Sequence, residues 1–384
     1  MRYKDFVNYD QLDPYKEECI RRFGKTLVYP NEAGFRIVPE TIGETAIAID
    51  SDFFNGIYLA FNVEGLGTKN KIPEGIAEKL KIFKQIANAH GIRHDLDVGG
   101  LIRRLFSGIG QDEMAMSFND LNGIGALPFI FAPIVATGSS NYLTDPDISN
   151  GLIDGFETGA LMGLSGIPCG ETPTLPGVVN PGTIDLAGAS LGYIRPKSRL
   201  CVGERLTEGL RLYGVGSSGI HSNGLSLARG IAETLPDGYF TRLPSGRTLG
   251  EALLTPTTIY SELVRALGQE EADIVYIQLI TGHGFGKIMR KKKDLTYVIE
   301  NVPEPHEEFI FLQKVGKVDD MEAYSVWNMK VGLVLYAHYS QENRIKRACD
   351  KSGLPLFDLG RTEKGERKVV IPSKEITYRP KLAA

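Results

Sequence analysis

One nine-residue run limits what this chain can fold into more than any other. Residues 216–224 read GSSGIHSNG, a run of glycines with hydroxyl, imidazole and carboxamide side chains, and a helix-like pattern begins at Leu225. Glycine allows a backbone to approach a ligand closely, and the free amides at a helix start attract anions. The run therefore predicts a helix-start loop that binds a phosphorylated ligand.

Length, charge and cysteine content narrow the class of protein. A chain of 384 residues is too long for one simple core, so we expect two domains. The net charge of −4 gives no general attraction to nucleic acid or to an anionic membrane. The four cysteines form no CxxC pair, which favours a reducing cytoplasm over a zinc site or disulfide framework. The first six residues lack the apolar stretch of a signal peptide, and the longest apolar region, near 126–136, is too short for a bilayer. We expect a cytoplasmic protein without a nucleic-acid partner or a membrane segment.

Hydrophobic patterns predict alternating helices and strands, and therefore a layered α/β architecture in both halves. The predicted strands are 46–50, 57–63, 127–135, 184–194, 295–299 and 331–336. The predicted helices are 73–90, 154–164, 225–234, 257–267 and 342–352, the first with Ile76, Leu80, Phe83 and Ala87 on its apolar face. A polar stretch at 196–199 suggests a boundary between domains 1–196 and 197–384, and the tail from residue 372 is expected to be peripheral.

The run Glu64–Lys69 (EGLGTK) follows a predicted strand. Its two glycines permit a tight turn, Lys69 could neutralise a phosphate, and Glu64 could hold a divalent ion. The GxxxxGK[ST] and GxGxxG spacings are both absent, so the run is neither a Walker A loop nor a dinucleotide fingerprint. A phosphate loop and an ordinary strand-to-turn junction both remain open.

Two further acidic positions could ligate magnesium. Asp120 follows Asn119 after an apolar stretch, where the pair could instead form an Asx turn or a helix cap. Glu171 and Thr172 lie in a proline-rich loop, where they could contact magnesium and phosphate or could be surface residues of a rigid loop. Magnesium takes few protein carboxylates, so Glu64, Asp120 and Glu171 would suit it if the fold brought them together.

Two glycine-rich turns carry histidines. His221 lies among glycines and serines, a setting untypical of a core residue, and could be an acid–base group or a hydrogen-bond donor to substrate. Residues 280–286 (ITGHGFG) form a second such turn, which could contact a ligand or pack against a neighbouring element.

In order along the chain, these runs resemble the aminoimidazole ribonucleotide synthetase (phosphoribosylformylglycinamidine cyclo-ligase) family from about Tyr3 to Ile371. The matching segments are YKD at 3–5, GLGTK at 65–69, NDL at 119–121 with GALP at 125–128, GET at 170–172 with PG at 176–177, DLAG at 185–188, GSSGIHSNG at 216–224, LTPTTIY at 254–260, TGHGF at 281–285 and Asn328 with VG at 331–332.

The resemblance implies a two-domain subunit whose N-terminal sheet forms a barrel across a homodimer. It implies ATP and Mg²⁺ as cofactors and a phosphoribosyl substrate, formylglycinamidine ribonucleotide, which is phosphorylated on its amide oxygen and closes to an imidazole. The implied catalytic residues are Asp120, His221 and Glu171, and the implied metal ligands are Glu64, Asp120 and Glu171. The implied nucleotide- and substrate-binding residues are Gly67, Thr68, Lys69, Asn119, Thr172, Ser222, Asn223 and Gly224.

Several positions depart from the family pattern. Glu64 replaces an aspartate, Cys169 and His283 replace glycines, and Lys330 stands in the segment where the family has NCGVG. The stretch near 72–108 also looks like an insertion of about one helix. Two alternatives therefore stay open: another ATP-dependent enzyme of the superfamily with a different acceptor, and a catalytically silent nucleotide-binding paralogue.

Overall fold

The structure is a computed structural model that describes residues 2–380 of the chain. Within that range the strands form two sheets. The first contains β1 (Phe35–Ile37), β2 (Ile47–Ser51), β3 (Tyr58–Gly65), β4 (Leu127–Thr137) and β5 (Ile184–Ile194). They pair in the order β1-β2-β3-β5-β4, antiparallel throughout.

The second sheet is built from the second half of the chain. Its strands are β6 (Arg211–Gly216), β7 (Tyr276–Leu279), β8 (Leu295–Ile299), β9 (Val331–Ala337), β10 (Leu356–Lys364), β11 (Lys368–Ile371) and β12 (Ile376–Tyr378). They pair in the order β12-β11-β8-β10-β6-β9-β7, and only β11 and β8 are parallel. The predicted boundary near residue 196 falls between the last strand of the first sheet and the first strand of the second.

The helices lie before, between and after these strands. Those of the first half are α1 (Tyr9–Phe23), α2 (Val28–Glu32), α3 (Lys71–Ala89), α4 (Val98–Asn122) and α5 (Pro146–Gly163). Those of the second half are α6 (Leu225–Glu233), α7 (Leu249–Leu253), α8 (Ser261–Gln269), α9 (Glu307–Gly316), α10 (Asp320–Val326) and α11 (Glu342–Lys351). None of them, within residues 2–380, is long and apolar enough to cross a membrane.

The layered mixture of helices and strands is confirmed, but the strands are mostly antiparallel, so the layers are of the α+β kind. Two local predictions need correction. The helix predicted at 257–267 begins only at Ser261, because the amide and hydroxyl of Thr257 bind the buried carboxylate of Asp112. Phe83 was placed on the buried face of α3 but is 44% exposed and contacts the ring of His94.

Helix α4 is the element that carries most of the site. Asp97 caps its start by accepting from the amide of Gly100 at 2.9 Å. It packs tightly on α5: a Cβ at Gly155 would come within 2.1 Å of the Ser107 carbonyl. This contact needs glycine, and it fixes α4 against α5.

The two faces of the first sheet differ. On the face toward α4, Asn62 and Ser190 are buried and hydrogen-bond each other and Ser117 of α4. The opposite face is apolar and open: Val63 is 59% and Ile134 39% exposed. Strand alternation places a set of further apolar residues on this open face: Ile47, Ile49, Leu59, Phe61, Ile130, Ala132, Ala187, Ala189 and Leu191.

Candidate active site

A cleft between the two halves brings together residues from several of the predicted runs. Its floor is the last turns of α4, and its far wall is the end of β7 with the turn that follows. The lining residues are Met116, Asn119, Asp120, His221, Asn223, Thr257, Tyr260, Leu279, Thr281 and Gly332. Segments distant in sequence therefore meet at one place, as a substrate site requires.

Two of the predicted acids meet beside this cleft. Glu64 lies near the end of β3 and Asp120 in the last turn of α4, and their side chains hydrogen-bond each other. Burial raises the pKa of Glu64; burial and the adjacent Glu64 charge hold the pKa of Asp120 well above its usual value. Two carboxyl groups this close do not both ionise without a compensating cation.

Lys287 supplies a positive charge at this pair, and the sequence analysis missed it. Its ammonium donates to the hydroxyl of Thr281. Burial and the nearby Arg290 lower the pKa of Lys287 to about 8, while Asp120 and Glu64 act in the opposite direction. The available signal was its position two residues after the TGHGF segment, at the end of a glycine-rich turn.

Lys69 lies elsewhere than predicted. Its side chain is fully buried, its ammonium is 2.8 Å from a carboxylate oxygen of Asp112, and it donates to the Thr255 carbonyl at 3.0 Å. Burial lowers the pKa of Lys69 and raises that of Asp112, and the ion pair opposes both shifts. In this structure the Lys69 ammonium is engaged in an internal ion pair, and its predicted phosphate contact stays a prediction.

His221 is held in one orientation in the glycine-rich loop. Its Nε2 accepts from the amides of Ser218 at 3.3 Å and Thr258 at 3.5 Å, which leaves the hydrogen on Nδ1. Burial, together with the charge of Lys69, lowers the pKa of His221 to about 3. The imidazole is therefore neutral at physiological pH, and the hydrogen-bond donor, one of the two predicted roles, fits this geometry.

The glycine-rich loop is braced from behind. Asn328 accepts from Ser217 at 2.9 Å and donates to the Gly219 carbonyl at 2.8 Å. Gly224 adopts a φ of +74° at the start of α6, and a Cβ there would come within 2.5 Å of the buried Trp327 ring. Only glycine satisfies both conditions, so the start of α6 is held in a fixed position.

Some of the other predicted binding residues line the cleft and others do not. Asn119 is engaged by the backbone: its amide group donates to Thr258 at 2.7 Å and its oxygen accepts from Tyr260 at 2.9 Å. Ser222 is buried against the Thr257 hydroxyl at 3.1 Å, whereas Asn223 faces the cleft. Gly67 and Thr68 lie on an exposed turn, where the Thr68 hydroxyl is 3.5 Å from that of Ser226 on α6. The two predicted phosphate loops are therefore neighbours in space.

Glu171 and Thr172 do not join the cleft residues. The segment around them adds to the edge of the first sheet, where Glu171 donates to Pro133 at 2.9 Å and accepts from Val135 at 2.8 Å. This register pairs Glu171 with Ile134 on the open apolar face, opposite to the face of Glu64. Within one chain, the structure therefore brings Glu64 and Asp120 together but not Glu171.

The carboxylate pair nevertheless fits a divalent cation. No group of three or more His, Cys, Asp or Glu side chains in residues 2–380 is arranged to hold a metal. Glu113, two turns before Asp120, has both carboxylate oxygens buried without hydrogen-bond partners, and burial and the charge of Glu64 hold its pKa well above its usual value. Magnesium commonly uses one or two carboxylates and completes its shell with water and phosphate oxygens. Glu64 and Asp120 are a donor set of this kind.

The N-terminal segment reaches the same place. The ring of Tyr9, at the start of α1, lies 3.9 Å from the His283 ring, centroid to centroid. His283 adopts a φ of +69°, and a Cβ at Gly282 would come within 2.5 Å of the Tyr9 hydroxyl. His283, which replaces a glycine of the family pattern, therefore contacts α1 beside the cleft.

Comparisons with known proteins identify the class of fold. Residues 207–372 match the family model described as AIR synthase related protein, C-terminal domain. A thiamine-monophosphate kinase from Stenotrophomonas maltophilia superposes with a TM-score of 0.57 at 17% identity, covering 86% of this chain and 90% of that one. A structure described as AaThiL complexed with AMPPCP and TMP gives a TM-score of 0.58 at 13% identity, covering 99% and 97%. The fold is therefore that of the AIR synthase-related class.

Sequence relatives define the family more closely. The phosphoribosylformylglycinamidine cyclo-ligase of Methanocaldococcus jannaschii is 31% identical over 310 residues, which cover 80% of this chain and 79% of that protein. The enzyme of the same name from Clostridium perfringens (strain 13) is 29% identical over 347 residues, covering 88% and 98%. The chain belongs to the phosphoribosylformylglycinamidine cyclo-ligase family of enzymes.

Proposed function

We propose that this protein catalyses the ATP- and Mg²⁺-dependent closure of formylglycinamidine ribonucleotide to aminoimidazole ribonucleotide. The observation that carries the proposal is the cleft itself. It collects the NDL, GSSGIHSNG, LTPTTIY and TGHGF segments around a carboxylate pair in a chain of the cyclo-ligase family. A small-molecule reaction of this kind also fits the cytoplasmic location expected from the sequence.

In the proposed reaction ATP phosphorylates the amide oxygen of the substrate, which turns a poor leaving group into phosphate. The amidine nitrogen then attacks the activated carbon, and the ring closes with release of phosphate. Most of the catalysis is positioning and neutralisation of charge. The protein must hold two phosphorylated molecules in line and stabilise the charge that develops on oxygen.

The cleft residues have separate roles in this reaction. Glu64 and Asp120 would hold Mg²⁺, which supplies charge neutralisation to the nucleotide phosphates when bound. The neutral imidazole of His221 donates from Nδ1 to a substrate oxygen, since its Nε2 is occupied by two amides. The free amides at the start of α6, fixed by Gly224, bind a phosphate group.

Lys287 takes the role that the sequence analysis gave to Lys69. Its ammonium lies beside Asp120 and Glu64 and carries a positive charge at neutral pH, because its pKa of about 8 lies above that pH. A lysine in this position neutralises the phosphoryl group that moves from ATP. Lys69 instead holds α4 against the 255–257 segment through Asp112.

We further propose that a second copy of the chain covers the open face of the first sheet and forms a barrel with it. That face presents a continuous apolar surface, including exposed Val63 and Ile134, which a monomer would leave in water. Glu171 and Thr172 lie at the edge of this face, so the dimer would place them beside the partner. Light scattering tests this: we expect a dimer, with Val63→Asp shifting it toward monomer, and a monomeric native protein would refute the proposal.

A different acceptor is the second candidate. The observation that favours it is the contact between Tyr9 and His283, which fills space beside the cleft at a position where the family pattern has glycine. The structural neighbour AaThiL carries AMPPCP and TMP, so the fold accommodates other acceptors.

The deciding experiment is turnover of formylglycinamidine ribonucleotide with ATP and Mg²⁺, following ADP and the aminoimidazole product together. Formation of both in equal amounts supports the proposal. ADP without the imidazole supports a different acceptor. Neither product, with a melting temperature still raised by ATP, supports a silent nucleotide-binding paralogue.

A further inference from the structure

A second cavity lies between the two halves of the molecule, away from the cleft. It opens where the end of the first sheet meets α8, beside the segment 195–201. Its wall includes Tyr193, which pairs with Leu59 on β3, five residues before Glu64. At the usual rise of a strand that separation is about 17 Å. The cavity is therefore distinct from the candidate active site.

The cavity has an apolar interior. Leu127 from the first sheet, Val264 and Leu267 from α8, and Ile277 from β7 line it. Cys201 also faces it, and burial raises the pKa of this thiol to about 12, so it adds no negative charge at neutral pH. Such a surface suits a ring or a short hydrocarbon chain.

Two arginines give the same cavity a positive rim. Arg195 and Arg199 both line it, and neither forms an ion pair with any residue in the range 2–380. The Arg199 guanidinium donates to the Gly268 carbonyl and lies so close to Gly268 that a Cβ there would collide with it. The carboxylate in the wall, Asp273, is already neutralised by Arg205, with contacts of 2.7 and 3.0 Å.

We propose that this arginine cavity binds a small organic anion, with its carboxylate or phosphate head between Arg195 and Arg199 and its apolar body against Leu127, Val264, Leu267 and Ile277. Guanidinium groups bind both kinds of head group through paired hydrogen bonds. The occupant contacts the first sheet and α8 at once. Its binding therefore stabilises the native arrangement of the two halves.

The test uses matched fluorinated probes followed by ¹⁹F nuclear magnetic resonance. 4-(Trifluoromethyl)benzoate and 4-(trifluoromethyl)phenyl phosphate carry the two possible heads, and 4-(trifluoromethyl)benzyl alcohol is the neutral counterpart. We expect one or both anions to bind the native protein in the low millimolar range or tighter, and more tightly than the alcohol. The stronger of the two identifies the head group.

Variants locate the binding. Arg195→Met and Arg199→Met each keep the methylene stem and remove the charge, and each should weaken anion binding at least about tenfold. Arg265→Met is the control, because it makes the same charge change on α8 at a residue outside the cavity, where Arg265 pairs with Glu262. If Arg199→Met does not fold, Arg195→Met decides alone, since Arg195 is exposed and has no ion pair to lose.

Four results would each overturn the proposal. They are the absence of anion binding, equal binding of the alcohol, displacement of the probe by ATP, and unchanged affinity in Arg195→Met. Because none of these binding measurements depends on turnover, their outcome is independent of the proposed reaction.

Discussion

Two lysine–carboxylate arrangements, which helix α4 joins through Asp112 and Asp120, have opposite character. In the inner ion pair, Lys69 meets Asp112 with both side chains fully excluded from solvent and bonded to the 255–257 backbone. In the cleft cluster, Asp120 and Glu64 act on the charge of Lys287, and Asp120 lines the cleft. Two turns of α4 separate Asp112, whose charge is paired inside the protein, from Asp120, whose charge is available to a ligand.

The difference teaches that the type of residue does not decide its role. Lys69 stands in a glycine turn typical of phosphate loops, yet its hydrogen bonds are internal. Lys287 stands in no recognised motif, yet its charge interacts with the carboxylate pair. What separates them is whether the surrounding backbone satisfies the charge before a ligand arrives.

The largest expected effect is on the inner ion pair. Asp112→Ala leaves the Lys69 ammonium buried without a counter-charge, so we expect the free energy of unfolding to fall by about 3–5 kcal/mol. Urea denaturation measures it, with Asp358→Ala, an exposed carboxylate, as the control. A loss below about 1 kcal/mol, the range of exposed pairs, would mean that the two arrangements do not differ as described.

The cleft cluster should respond in activity and not in stability. Asp120→Ala removes one carboxylate of the proposed magnesium site, so we expect turnover to fall by about a thousandfold or more while the oligomeric state stays unchanged. Asp358→Ala, an exposed carboxylate of β10, is again the control. Unchanged turnover in Asp120→Ala would remove this residue from the site.

His221 lies between the two arrangements and gives a pH dependence. The folded protein keeps it neutral with a pKa of about 3, whereas the unfolded chain protonates it near pH 6.5. Its contribution to stability is therefore complete above pH 6.5 and declines as pH falls toward 3, by about 1.4 kcal/mol per pH unit. His221→Asn keeps a residue that tolerates positive φ and should lose this slope. Parallel slopes for variant and native protein between pH 6 and 4 would contradict the assignment.

Substitutions of Lys287 test the same comparison in the cleft cluster. Lys287→Met should lower turnover by about a hundredfold, and Lys287→Arg should restore part of it because the charge returns. A phosphate role predicts weaker binding of ATP with unchanged binding of adenosine, which isothermal titration can measure. Equal loss of affinity for both ligands would indicate a structural role instead.

Much of the fold and part of the site could be predicted from the sequence, and the failures share a cause. The strand at 184–194 was predicted at its observed bounds, and Asp120 and His221 meet in one cleft, because each belongs to a local pattern. The place of Glu171 at the edge of β4 could not be predicted, because sequence spacing does not reveal that pairing. The internal ion pair of Lys69 and the place of Lys287 could not be predicted for the same reason, since each depends on partners distant in the chain.

The smallest expected effect concerns the contact between Tyr9 and His283, beside the cleft cluster. His283→Gly removes the ring that stacks on Tyr9, and glycine accepts the positive φ at that position without strain. An aromatic contact of this kind is worth about 0.5–1.5 kcal/mol, so α1 should be held less firmly and become more sensitive to protease. Turnover should stay within about twofold or improve, because His283 is not among the groups that hold substrate in the proposed site. Complete loss of turnover would instead give His283, and with it α1, a part in catalysis, and the cleft cluster would then extend to the N-terminal segment.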